Sequence, residues 1–128
     1  MTAPDSSAIA HQKLMQTRNG LIIHQSICAA AKLGVADLLE QGLSTTEELA
    51  RELKVNEDAL YRTLRALASQ GVFEETSSRT FKNSGLSCLL RSDVPGSVRP
   101  AFLFWGTEMY YRSVGACIPI RSSQTASL

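Results

Sequence analysis

Residues 21 to 33 constrain the fold of this chain more than any other segment. The pattern is helical, yet Leu21, Ile22, Ile23, Ile27, Cys28, Ala29, Ala30, Ala31 and Leu33 leave only a few polar positions between them. A surface helix needs a single apolar stripe, so a helix with this much apolar surface must be covered on more than one side. Gly34 then offers a left-handed C-terminal cap, and Val35-Ala-Asp-Leu-Leu-Glu continues as a short helix closed by Gly42.

The next segments carry helix-start signals. In Ser44-Thr-Thr-Glu-Glu-Leu-Ala, Ser44 or Thr45 can cap while Glu47 or Glu48, three residues on, completes a capping box. Asn56 caps a following helix that has Glu57 and Asp58 in its first turn and Leu60, Leu64 and Leu67 at i, i+4 and i+7, with Val55 placed to staple onto Leu60. That helix should end near Gln70-Gly71. Two short β-prone runs, Val72-Phe-Glu-Glu and Arg79-Thr-Phe-Lys, read as a hairpin joined through Thr76-Ser-Ser. Asn83-Ser84-Gly85 opens a short helix through Leu86, Leu89 and Leu90, closed by Ser92-Asp-Val-Pro-Gly. Ser97 caps a last helix with Pro100 in its first turn and a broad cluster of Phe102, Leu103, Phe104, Trp105, Met109, Tyr110 and Tyr111.

Helix, helix, helix, hairpin is the order of a winged helix-turn-helix. The expected fold is therefore mainly α, a winged helix-turn-helix with a small β-hairpin wing, flanked by an additional N-terminal and C-terminal helix. Three regions follow: 1–17, flexible or weakly helical; 18–114, the winged-helix-like unit; and 115–128, a divergent polar tail. The surplus apolar surface on the outer helices would be exposed in a monomer, which predicts self-association or docking onto another domain. The interface residues expected are Leu21, Ile22, Ile23, Ile27, Ala30, Phe102, Phe104 and Trp105.

Charge and cysteine content exclude several classes of function. With 13 Lys+Arg against 12 Asp+Glu, the 128 residues have no overall positive field to draw nucleic acid or anionic membrane. The N-terminal turn of the would-be recognition helix carries Glu57 and Asp58, which repel phosphate. Arg62 and Arg65 only balance them, and in the wing Arg79 and Lys82 are offset by Glu74 and Glu75. Cys28, Cys88 and Cys117 form no C-x-x-C pair, so neither a disulfide framework nor a zinc site is indicated. No apolar run approaches a membrane span, and the first residues lack the pattern of a secretory signal, so a cytoplasmic location is the default expectation.

Catalytic motifs are also missing. His11 and His24 sit at no metal-ligand spacing with each other or with a cysteine, and the chain holds no H-E-x-x-H, G-x-S-x-G or P-loop. His24 reads as an interface histidine, Glu47 and Glu48 as capping residues, Cys28 as buried, and Arg62 as the partner of Asp58 at i−4.

Several of these segments together resemble the N-terminal dimerisation domain of the S-adenosylmethionine-dependent small-molecule O-methyltransferases, which include plant caffeate-type enzymes and bacterial tailoring enzymes. Ala31-Lys-Leu-Gly-Val-Ala-Asp-Leu-Leu is similar to the family's A-x-x-L-G-[IV]-x-D-x-L segment, and Thr45-Thr-Glu-Glu-Leu-Ala to its T-x-x-E-L-A helix start. Leu60-Tyr-Arg-Thr-Leu-Arg-Ala-Leu-Ala-Ser-Gln-Gly-Val-Phe is close to L-x-R-[LV]-L-R-x-L-x-x-x-G-[VI]-F. Asn83-Ser84-Gly85, Leu89-Leu90 and Ser92-Asp93-Val-Pro-Gly-Ser97 resemble the segment that follows it.

The resemblance implies an intertwined homodimer whose terminal helices reach the partner and, in some members, line its substrate pocket. Trp105 and Met109, a broad plate and an adaptable filler, are placed for that lining; the alternative is that both are plain core. In the family a Rossmann-like domain follows and binds the cofactor through a glycine-rich turn. The eight glycines here include no G-x-G pair. The expectation is a truncated form that binds no cofactor of its own and transfers no methyl group, S-adenosylmethionine being implied only for full-length relatives. A small winged-helix transcriptional regulator is the alternative, and a mixed dimer with a full-length methyltransferase a third reading.

Overall fold

A computed structural model describes residues 6–108. Helix α1 runs Ser6–Leu33, and α2 follows at Val35–Glu40. The reversal between them depends on Gly34 at φ 74°, where its N–H closes onto the carbonyls of Ala30 and Ala31. A side chain at this left-handed position would strain the backbone. Arg99 supports the same junction, its Nε donating to the Ala31 carbonyl at 2.9 Å, a cation at the negative end of α1.

Helices α3 (Thr46–Leu53) and α4 (Glu57–Ala68) begin where the caps place them. Thr45 Oγ1 accepts from the Glu48 N–H at 3.1 Å, and Asn56 Oδ1 accepts from the Ala59 N–H at 2.9 Å. Glu48 completes its half of the box through the cap's hydroxyl, accepting from Thr45 Oγ1 at 2.9 Å. Between the helices Lys54 takes φ 58° and turns the chain, and Val55 packs against the core.

Strands β1 (Glu74–Ser77) and β2 (Thr80–Lys82) pair antiparallel with an irregularity between Glu75 and Ser77. The strands are shorter than the sequence predicts. Val72 and Phe73 lie ahead of β1 as buried core residues, and Arg79, at φ 56°, belongs to the turn. The wing is sewn to the segment before α3: the Phe81 N–H donates to the Ser44 carbonyl at 2.8 Å and the Thr46 N–H to that of Arg79 at 2.9 Å.

The core gathers Leu49, Leu60, Leu64, Leu67, Phe73, Phe81 and Leu90 around Ala30, Ala31, Val35 and Ala36 at the end of α1 and in α2. Phe73 is fully buried at φ 72°, a conformation a bulky residue adopts only when its surroundings impose it. Its N–H donates to Ser84 Oγ at 3.2 Å, so the turn polar groups stay satisfied.

The expected helix over residues 83–90 is a 3-10 turn at Ser87–Leu90, which Ser84 opens by accepting from the Ser87 N–H at 3.3 Å while Asn83 Oδ1 accepts from the Ser87 hydroxyl at 2.9 Å. Asn83 Nδ2 donates to the Ala36 carbonyl and to Glu40, and Ser84 Oγ donates to the Gly71 carbonyl. Asp37 then accepts from the Ser92 N–H at 3.0 Å and its hydroxyl at 2.9 Å, tying this strap to α2.

Helix α5, Arg99–Trp105, is shorter than expected and stops at Gly106. Ser97 Oγ accepts from the Arg99 N–H at 3.2 Å, although the geometric N-cap is Val98. Met109, Tyr110 and Tyr111, Cys117 and the 115–128 tail lie outside the described residues.

The fold expectation holds: three helices and a two-stranded wing, with α1 before them and α5 after. The helical pattern is legible in the sequence only from Leu21, with Pro4 to Ser7 reading as a loose tail or a helix start, and the structure carries α1 from Ser6. Residues 6–22 are helical with every residue exposed. They have no core stripe to follow, which is why periodicity missed them.

A candidate self-association surface on the outer helices

Helix α1 has two apolar sides. Ile23, Ile27, Ala30 and Ala31 face the core, whereas Leu14, Met15, Leu21 and Ile22 are exposed. At 3.6 residues per turn the two sets fall on opposite sides of the cylinder. Leu14 recurs as Leu21 and Met15 as Ile22, each seven residues on, and Leu14 is 67% exposed. Four large apolar side chains along one stripe form the contiguous kind of patch that marks a contact surface, unlike singly scattered exposed residues.

Along one flank of this stripe, α5 packs on α1. His24 lies against Phe102 and Trp105, with ring centroids at 5.7 and 6.2 Å, and Phe102 meets Trp105 edge to face at 5.1 Å. Cys28 Sγ is 3.6 Å from His24 Nε2, and burial pushes its thiol pKa up. Gly106 is there because of close approach: a Cβ on it would stand 3.0 Å from Cys28 Cβ. A groove of about 660 Å³ opens between the helices, with Gln25, Lys32 and Glu108 among its walls. Phe104 points outward at 55% exposure and Trp105 is partly exposed.

On the other flank, α1 and α4 enclose a smaller groove of about 150 Å³, lined by Ala29, Leu33, Val55, Asn56, Ala59 and Thr63 over Ala30, Leu60 and Leu64. None of its lining residues is charged. Thr63 turns its hydroxyl back onto the Ala59 carbonyl at 2.9 Å, which leaves its methyl group for the groove.

The structure places the sequence-predicted interface residues unequally. Leu21, Ile22, Phe104 and Trp105 are exposed, while Ile23, Ile27 and Phe102 are half-buried against the core. Ala30, at 3% exposure, sits inside the chain's own core beneath the α1–α4 groove. Met109 falls outside the described residues. Leu14 and Met15 were missed, and the signal that finds them is their seven-residue spacing to Leu21 and Ile22.

Electrostatics at the wing also differ from expectation. Arg79 is not balanced by Glu74 and Glu75 but reaches Glu57 at 3.4 Å and Asp58 at 3.2 Å, with its guanidinium 4.3 Å above the Tyr61 ring. Lys82 does pair with Glu74, at 3.6 Å. Arg62 meets the Asp58 main-chain carbonyl at 3.4 Å, not its carboxylate, which Arg79 has taken. The wing arginine thus closes over the acidic first turn of α4. Among the described residues, no cluster of His, Cys, Asp and Glu could hold a metal ion, and no helix is long and apolar enough to cross a membrane.

A domain of this fold has counterparts among known proteins. The family model for the O-methyltransferase dimerisation domain matches residues 15–93. The chain belongs to that family. Among proteins similar to this dimerisation domain, the phenazine O-methyltransferase PhzM of Lysobacter antibioticus is 38% identical over 88% of the chain. The phenazine-1-carboxylate N-methyltransferase of Pseudomonas aeruginosa is 32% identical over the same share. The chain spans about a third of the length of these two relatives, 33% and 34%. In solved structures, LaPhzM superposes with a TM-score of 0.77 at 38% identity, covering 84% of this chain and 32% of that one. CalO1, a methyltransferase in calicheamicin biosynthesis solved in its SAH-bound form, gives 0.73 at 33% identity, covering 91% and 36%.

Proposed function

We propose that these residues serve as the self-association module of a small-molecule methyltransferase and carry out no methyl transfer themselves. The observation that carries this reading is the exposed stripe Leu14, Met15, Leu21 and Ile22, turned away from the core side of the same helix in a domain of the dimerisation family. Phe104 and Trp105 extend the surface on α5, and Ile23, Ile27 and Phe102 back it from within. The product is a two-fold homodimer, since a self-complementary patch on one chain closes most simply on a copy of itself. A mixed dimer with a full-length methyltransferase uses the same surface.

Relatives supply the rest of the chemistry. A chain solved with SAH implies methyl transfer from S-adenosylmethionine in that protein. Here the eight glycines include no G-x-G turn of the kind a Rossmann cofactor site needs. Trp105, lying against His24 and Phe102, retains the geometry to present an indole face to a partner's substrate pocket. A nucleic-acid role is disfavoured, because Arg79 is held on Glu57 and Asp58 at the helix end that would approach phosphate. A cytoplasmic location fits this reading.

Light scattering across a dilution series tests the proposal: twice the chain mass persisting to low micromolar concentration is expected. A single-chain mass throughout contradicts it. Calorimetric titration with S-adenosylmethionine should give no heat of binding, and a micromolar site would refute the non-catalytic part.

A further inference from the structure

We infer that α5 is a latch: it releases from α1 as a unit while the body stays folded, with Arg99 as its catch and Cys28 beneath its tip. Release is a property of one copy of the chain and does not depend on self-association.

The core is complete without α5. Helices α1, α2, α3 and α4 all contribute residues to it, whereas Arg99–Trp105 buries none. Phe102 and Leu103 reach the core only as half-buried side chains. A helix of seven residues is too short to persist in water by itself, so α5 is helical only while docked. Its N-cap, Val98, supplies no side-chain cap. A segment with so few buried apolar contacts belongs at the low end of the free energies of local opening, well below unfolding of the whole.

The chain just before α5 is held, which sets where the latch turns. The Val98 N–H donates to the Leu89 carbonyl at 2.8 Å, Ser97 Oγ donates to the Arg91 carbonyl at 2.6 Å, and Asp37 of α2 grips Ser92. The hinge therefore falls at Val98–Arg99. Beyond it, Arg99 Nε catches the Ala31 carbonyl at 2.9 Å, and Phe102 and Trp105 lie on the His24 ring. Both partners of the catch meet water once α5 leaves, so breaking it strands no polar group. At the tip, Gly106 closes over Cys28, which is left 8% exposed; a Cβ on this glycine would stand 3.0 Å from the Cys28 Cβ. Release uncovers that thiol and lifts Phe104 and Trp105 off the flank of α1, so the latch decides whether the α5 part of the surface is presented.

Cys28 is the reporter. In the dilute full chain with Cys88→Ala and Cys117→Ala, an aromatic disulfide reagent should label it far more slowly than a free thiol. The rate should hardly change with urea below the unfolding transition. Arg99→Ala should speed labelling about 10-fold or more and keep the cooperative urea transition seen by circular dichroism. Three results overturn the latch: labelling at the free-thiol rate, which means that α5 does not cover Cys28; a rate that climbs with urea as steeply as global unfolding, which means that the thiol is freed only with the body; and an unchanged rate in R99A, which removes the catch. Loss of the cooperative transition in R99A makes α5 part of the body and overturns it as well.

Discussion

The two halves of α1 follow different rules although they form one continuous helix. From Ile23 to Leu33 the chain packs against its own core, with Ala30 and Ala31 nearly inaccessible. From Ser6 to Ile22 every residue is exposed, yet Leu14, Met15, Leu21 and Ile22 form an apolar stripe. Helices in globular proteins draw most of their stability from packing an apolar face. The C-terminal half finds that packing within the chain, the N-terminal half finds none within one copy, and the proposed self-association would supply it. Stability of the body and integrity of the assembly are therefore separable.

The strongest way to break the comparison is a body substitution. Leu64→Ala removes a fully buried side chain between α4 and the core, and should cost about 2–5 kcal/mol by urea denaturation. The loss should be the same at low and high protein concentration. On the stripe the opposite is expected: Leu14→Glu with Ile22→Glu should weaken dimerisation by at least two orders of magnitude. The unfolding midpoint of the dilute chain should stay unchanged, since neither side chain is buried in one copy.

Caps come next in size. Asn56→Ala removes the acceptor for the Ala59 N–H and should cost about 1 kcal/mol, as should Thr45→Ala at α3. Thr45 lies away from the grooves beside α1, so Thr45→Ala should leave the dimer constant unaffected.

How far the sequence foretold these features depends on whether a residue's role is local. Thr45, Asn56 and Gly34 announced their caps because capping is decided within four residues. Leu60, Leu64 and Leu67 announced the core face because period and burial coincide there. Arg79 was misassigned because its partners Glu57 and Asp58 come from an element far away in sequence, and adjacent Glu74 and Glu75 were the obvious choice. Asn83 and Ser84 open the turn at Ser87–Leu90 as the sequence suggests, but their bonds to Ala36, Glu40 and Gly71 join residues remote in sequence and are not legible from it. On the candidate surface, Leu21 and Ile22 were legible as surplus apolar residues. Leu14 and Met15 were not, because polar neighbours separate them from the apolar run. That Ala30 packs into the chain's own core was not legible, because sequence alone cannot say which apolar side of a two-sided helix faces inward.

The smallest predicted effect concerns acid. Arg91 makes paired hydrogen bonds to Asp93 at 3.1 and 3.0 Å and holds its carboxyl below the usual carboxylate range. A depressed folded pKa stabilises above the unfolded value of about 3.9 and is lost as pH falls through the lower folded value. Asp93→Asn should therefore remove a slight part of the acid-induced loss of stability below pH of about 4 and leave association at neutral pH untouched.

Hydrogen exchange of the α1 amides at several protein concentrations tests the central claim most directly. Amides from Ile23 to Leu33 should be protected at every concentration. Those from Ser6 to Ile22 should be protected only where the chain is associated, and exchange near free-helix rates after dilution. Protection of Ser6–Ile22 that does not change on dilution, or its absence at every concentration, would contradict the assignment of this half of α1 to an assembly.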